Sequence, residues 1–190
     1  MNQLTREQLI AELKYMNHSR ERRDYYAQLF MGYPKNIQLL LEIAFDVHQK
    51  NSFRAAWVLE FMCSADLNYL IPHLDLFTEN IKKVKHDSAK RPMAKICEII
   101  AVTYFNKERH PIKKHLSQKQ KEQIIEAAFD WMINDEKVAV KAYSMNCLYL
   151  FGTEIDWIHP ELQIILEKDF SSQSAAFKAR ARHILKKIKR

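Results

Sequence analysis

Three short segments of this chain share one pattern, an apolar residue, a basic residue and an alanine at the start of a helix-forming run: Phe53-Arg54-Ala55, Val140-Lys141-Ala142 and Phe177-Lys178-Ala179. A fourth, Lys90-Arg91-Pro92, keeps the basic centre. Arg54 and Lys141 lie 87 residues apart, and so do Arg91 and Lys178. Upstream of these, Leu70-Ile71-Pro72-His73-Leu74 and Ile158-His159-Pro160-Glu161-Leu162 place two prolines 88 residues apart. Such a spacing is two units of roughly 40–47 residues, the length of two helices and their turns. One helical hairpin of that size cannot bury its own apolar face, so successive hairpins must stack.

Composition agrees with helices and excludes several chemistries. Two glycines in 190 residues leave none of the Gly-rich loops that cradle phosphates or dinucleotides, so a Rossmann or P-loop enzyme is excluded. Leu, Ile, Ala, Lys, Glu and Gln lose little side-chain freedom in a helix.

The pattern predicts ten helices in five hairpins. Thr5-Arg-Glu-Gln8 is a capping box that opens a helix ending near Met16. Ser19 opens a second, broken by Gly32 and Pro34, and a third runs from Asn36 to about Gln49. Ser52 is expected to cap a fourth, to Ser64. Leu67, Leu70, Ile71, Leu74, Phe77, Ile81 and Val84 then recur at helical spacing, which predicts one continuous helix with Pro72 near its start. Asp87 or Ser88 caps the next, as far as Asn106. Residues 106–116, with Pro111 in the middle, read as a linker. Ser117-Gln-Lys-Gln120 is a second capping box. Asn134 and Asp135 end its helix and are expected to cap the next, which runs to Phe151 and Gly152, and the last two begin near Pro160 and Ser172.

The proline-bearing first helix, the aspartate near the turn and the basic residue plus alanine of the second helix resemble a HEAT-like, armadillo-type repeat. The resemblance covers residues 36–189 in four hairpins, with residues 1–33 as a divergent N-terminal cap, all in one domain. It implies an all-α fold, a right-handed α-α superhelix of about five antiparallel hairpins. It also implies a concave surface, lined by the second helices, on which a protein or peptide partner binds.

Arg54, Arg91, Lys141 and Lys178, with Lys95 and Arg182 one turn on, are the candidate partner-binding residues on that surface. The alternative role is structural, since Asp46, Asp87, Asp135 and Asp169 stand shortly before each repeated cation and offer ion-pair partners. The formal charge of +7 does not decide between them. Seven Lys and Arg and no Asp or Glu fall in residues 178–190, which leaves 23 charges of each sign in residues 1–177. The excess belongs to one helix, where cations complement the C-terminal dipole or form a basic arm for phosphates or an acidic partner.

Catalytic and metal-binding patterns are thin. Cys63, Cys97 and Cys147 have no C-x-x-C spacing and read as core. His110 and His115 lie close together without a third ligand. No cofactor is expected. The chain resembles HEAT-like alkylpurine DNA glycosylases in one pairing, Trp131 with Asp135, an aspartate beside a tryptophan. It also resembles small proteins carried under the name adenylosuccinate lyase. However, Ser171-Ser172-Gln173-Ser174-Ala175-Ala176-Phe177-Lys178 keeps the two serines of that superfamily's loop and lacks its Met, Pro and spaced Lys, so the label does not carry the activity. No run of about 18 apolar residues is present. The N-terminal stretch lacks a signal peptide's apolar core, so a cytoplasmic protein with no membrane association is expected. In order, the readings are a non-catalytic protein-interaction module, a nucleic-acid-binding protein related to DNA repair, and a lyase-like enzyme.

Overall fold

A computed structural model describes residues 4–170 and 173–189; the paired serines Ser171 and Ser172 lie outside the described residues. The helices are α1 (Arg6–Leu13), α2 (Arg20–Met31), α3 (Asn36–Phe45), α4 (Ser52–Ala65), α5 (Leu74–Thr78), α6 (Asp87–Phe105), α7 (Ile112–His115), α8 (Gln118–Ile133), α9 (Val138–Phe151), α10 (Ile158–Asp169) and α11 (Ala175–Ile188). No strand occurs among the described residues.

The helices form two layers of an α-α solenoid. The second helices stand in one row, with α2 on α4, α4 on α6, α6 on α9 and α9 on α11. Outside that row, α3 packs on α4, α8 on α9 and α10 on both α9 and α11, while α1 lies on α3 and α5 on α8. A single apolar cluster runs through the stack from Leu9 to Ile184. Phe30, Phe77, Phe151 and Phe177 are among its largest members, each wholly buried and each worth about 1.5–3 kcal/mol of removal from water.

Polar contacts repeat with the period of the array. Arg6 reaches Asp46 (2.6 Å), Arg54 reaches the carbonyls of Leu13 and Lys14, and Asn146 donates to Glu98 (2.9 Å). These partners are 40, 41, 40 and 48 residues apart, one repeat in every case.

Both predicted capping boxes form. The Thr5 hydroxyl accepts from the Gln8 N–H while the Gln8 amide oxygen accepts from the Thr5 N–H. Ser117 and Gln120 do the same at α8. Ser19 caps α2 as expected. Other boundaries differ. Ser52 and Asp87 are the first residues of their helices and not their caps, because Asn51 and His86 hold the cap positions without a side-chain bond. Asp135 does not cap α9, which starts at Val138. The cap of α11 is Ser174, which accepts from the Phe177 N–H. Helix α3 stops at Phe45, where the Asp46 carboxylate takes the His48 N–H in a tight turn (3.0 Å).

The predicted continuous helix over residues 67–84 is the main correction. Three 3-10 turns, Leu67–Tyr69, Ile71–His73 and Ile81–Lys83, flank the short α5. Local side-chain bonds compete with the helix there: Asp66 accepts from the Asn68 N–H (2.9 Å), and Asn80 donates to the Leu76 carbonyl (2.7 Å). Pro72 adds a position without an N–H. The apolar stripe nevertheless buries Leu67, Leu70, Leu74, Phe77, Ile81 and Val84, since periods of 3.0 and 3.6 keep the same residues on one face. A row of polar bonds straps the segment to α8: Gln120 to Asp75 (2.7 Å), Thr78 to Gln123 (2.7 Å), Lys119 to Glu79 (2.8 Å) and Lys82 to Glu126 (2.6 Å). The 106–116 segment carries α7 and buries Ile112 and Leu116.

Candidate functional site

The row of second helices brings four of the six candidate cations into defined surroundings. Arg54, at the start of α4, donates from Nη1 to the Leu13 carbonyl (3.0 Å) and the Lys14 carbonyl (2.8 Å), closing the C-terminal end of α1. Its guanidinium also lies 5.7 Å from the Phe53 ring. Arg91 on α6 forms a two-point pair with Glu60 on α4, at 2.8 Å and 2.5 Å. Lys95, one turn on, binds Glu98 at 2.7 Å and sits 4.8 Å above the Tyr143 ring of α9. Arg182 is exposed on α11 with its guanidinium 5.6 Å from the Phe170 ring.

Lys141 on α9 is buried, and Lys178 on α11 is half-buried. Two of the aspartates expected beside these cations have other partners. Asp46 pairs with Arg6, and Asp87 with Lys137 at 3.5 Å. The Asp169 side chain lies outside the described atoms.

Two buried carboxylates escape a reading based on repeated cations. Glu60 and Glu98 are each only 7% exposed, deep in the apolar runs of α4 and α6. Their signal in the sequence is a lone acid inside an otherwise apolar helix, which survives burial only when paired. With them, a polar seam crosses three second helices: Glu60 with Arg91, then Lys95 with Glu98, then Glu98 with Asn146.

At one end of the seam Arg23 of α2 lies 4.9 Å from the Phe61 ring and 5.8 Å from the Trp57 ring. Burial pulls the Arg23 guanidinium below its ordinary pKa, with Glu60 opposing the shift. The Trp57 indole N–H donates to the Ser88 carbonyl (2.9 Å), fixing the ring across α4 and α6.

At the other end, Val102, Phe105, Asn146, Tyr149, Leu150 and Lys187 line a cleft of about 330 Å³ drawn from α6, α9 and α11. Val102 is 45% exposed there, an apolar side chain left open beside aromatic rings. The Lys187 ammonium lies 5.0 Å from the Tyr149 ring, and His159 stacks on that ring's plane at 11°. The cleft therefore offers an apolar floor, an amide and one cation.

Elsewhere the chemistry is quiet. No group of three metal-ligating side chains converges among the described residues. His110 accepts the Ile112 N–H at Nδ1 (3.1 Å), and both His110 and His115 line a cavity with Arg109, Lys113 and Lys114. Trp131 is buried in the core, whereas Asp135 is exposed in the turn between α8 and α9. Burial pushes the Cys63 thiol up to about 12, and Cys97 and Cys147 are raised by the same cause. No described helix is long and apolar enough to cross a membrane.

A family model described as a HEAT repeat domain matches residues 9–188, from the middle of α1 to the last residue of α11. No curated protein and no solved structure matches.

Proposed function

The chain belongs to the HEAT repeat domain family, and from that premise we propose that it is a non-catalytic interaction module which takes a protein or peptide along the face formed by its row of second helices. The observation that carries this reading is the open cleft at Val102. It spans three successive second helices and pairs exposed apolar surface with the polar seam, the combination of an apolar anchor and orienting polar groups that peptide-binding surfaces use. In this reading Arg182 and Lys187, both exposed on α11, supply positive charge to the partner. Arg54, Arg91 and Lys141, held inside the array, set the spacing of the helices that carry the face.

The test is site-specific photo-crosslinking in cells that make the protein. A benzophenone side chain at Val102 is expected to give one adduct of defined mass. The same group at Ile164, which is 58% exposed on α10, is expected to give none, and Lys187→Glu should abolish the Val102 adduct. No adduct at Val102 above the Ile164 background argues against the module.

A nucleic acid is the second occupant to weigh, favoured by the exposed Arg180, Arg182, Lys186 and Lys187 of α11. Anisotropy of labelled duplex and single-stranded DNA separates the two. Binding that weakens steeply with salt and vanishes in Arg182→Glu/Lys186→Glu would favour this reading, and no binding at low salt would end it.

A further inference from the structure

A second surface lies away from the inner row, between α8 and the start of α10. Trp157, at the N-cap position of α10, is 54% exposed, and its ring stacks on Phe129 with centroids 5.5 Å apart and planes at 21°. The pair forms one wall of a cavity of about 300 Å³ lined also by Ile125 and Ile155. Along its rim run Glu122, Glu126 and Asp130 of α8, at successive positions four residues apart. An indole left half in water beside a stacked ring presents a negative π-face, which attracts a cation.

The rim already holds one cation. Lys82, from the strapped segment before α6, places its ammonium 2.6 Å from Glu126 and 2.9 Å from Asp130. Contact with both carboxylates raises the Lys82 pKa. Among the described residues Glu122 is bound by the neutral Gln118 amide (3.0 Å), so the stretch of rim beyond Lys82 carries negative charge next to the exposed indole.

We propose that this groove docks an extended basic segment of a partner protein, with one arginine or lysine over the Trp157 ring and the next against Glu122. Helix geometry puts residues four apart about 6 Å from one another along α8, close to the spacing of about 6.6 Å between alternate residues of an extended chain. An extended peptide with cations at alternate positions therefore keeps pace with the carboxylate row, and its intervening side chains face Ile125 and Ile155. Charge complementarity selects this occupant: three carboxylates against the single Lys82 leave the rim with net negative charge, which with the π-face accepts cations and repels acidic segments. The chain's own basic helix is engaged elsewhere, since α11 packs on α9 and α10 with Arg182 over Phe170.

The experiment titrates the full chain into a labelled, acetylated and amidated Arg-Ala-Arg-Ala-Arg peptide, with a citrulline-for-arginine peptide of the same shape as control. Anisotropy is read at low and physiological salt. The arginine peptide is expected to bind and the citrulline peptide to fail. Trp157→Ala is expected to weaken binding about threefold to fivefold, the size of a partly exposed cation–π contact, and Glu122→Gln to weaken it to a similar extent. Both substitutions are at exposed positions, so an unchanged melting temperature confirms the fold. Photo-crosslinking at Val102 should be untouched by either variant, which separates this groove from the inner face. Equal binding of the citrulline peptide, or full binding by Trp157→Ala, would overturn the proposal. So would concentration-dependent self-association that Trp157→Ala abolishes, because a second copy would then be the occupant.

Discussion

Arg91 on α6 grips Glu60 on α4 through both terminal guanidinium nitrogens, at 2.8 Å and 2.5 Å, and the carboxylate it holds is almost wholly out of water. A buried acid without a partner is costly. Arg91→Met should therefore lower unfolding stability by about 2–3 kcal/mol in denaturant melts, the smaller figure reflecting partial exposure of the arginine. The double variant Arg91→Met/Glu60→Leu should regain most of that loss. Additive losses in the double variant would mean that the pair is not a coupled unit.

Acid should loosen the first turn of the array before its core. The His48 backbone N–H, and after it Arg6, hold the Asp46 carboxyl below its ordinary value. A carboxyl depressed in the folded state contributes stability that is present above its unfolded value and is lost as pH falls through the folded one. Asp46→Asn should thus lower the melting temperature at pH 7 and have little effect near pH 2. A pH-independent difference between the two proteins would contradict this assignment.

Gly152 faces His159 so closely that a Cβ there would stand 2.1 Å from the ring's Cδ2. The ring is itself held, with Nε2 donating to the Tyr149 carbonyl at 2.8 Å. Gly152→Ala should cost about 1–3 kcal/mol as overpacking, and adding His159→Ala should recover part of it. The effect is steric, because the backbone at Gly152 has φ of −65°.

The three thiols should be silent in the native protein. Cys63, Cys97 and Cys147 are all buried and their pKa values are raised by burial, so thiolate is scarce and access is blocked. A chromogenic disulfide reagent should titrate none of them at pH 8, and all three after denaturation. Fast native reaction of any one would show that its helix opens locally.

What can be read from the bare sequence divides along physical lines. The capping boxes at Thr5 and Ser117 are readable because their chemistry spans only three residues and needs no tertiary partner. The repeat is readable because each copy solves the same packing problem with the same residue types. The helix expected over residues 67–84 fails because its apolar spacing suits α and 3-10 turns equally, and the choice is made by Asp66, Asn80 and the bonds to α8. The partners of Arg54 and Arg91 are not readable either. Arg54 takes backbone carbonyls and Arg91 a glutamate from the preceding second helix, contacts fixed by how hairpins stack and not by distance along the chain. The acid–aromatic groove is likewise assembled from α8 and a turn 27 residues beyond its last carboxylate, which no local pattern announces.

The latch between Arg54 and the carbonyls of Leu13 and Lys14 has a mechanical consequence. Together with Arg91 on Glu60, and Lys121 on Tyr104 and Glu154, it places these fastenings between neighbouring hairpins and not from one end of the stack to the other. Tension applied at the termini would load these fastenings in series. The molecule should extend in steps, one hairpin yielding while the others hold, and recoil in the reverse order when released.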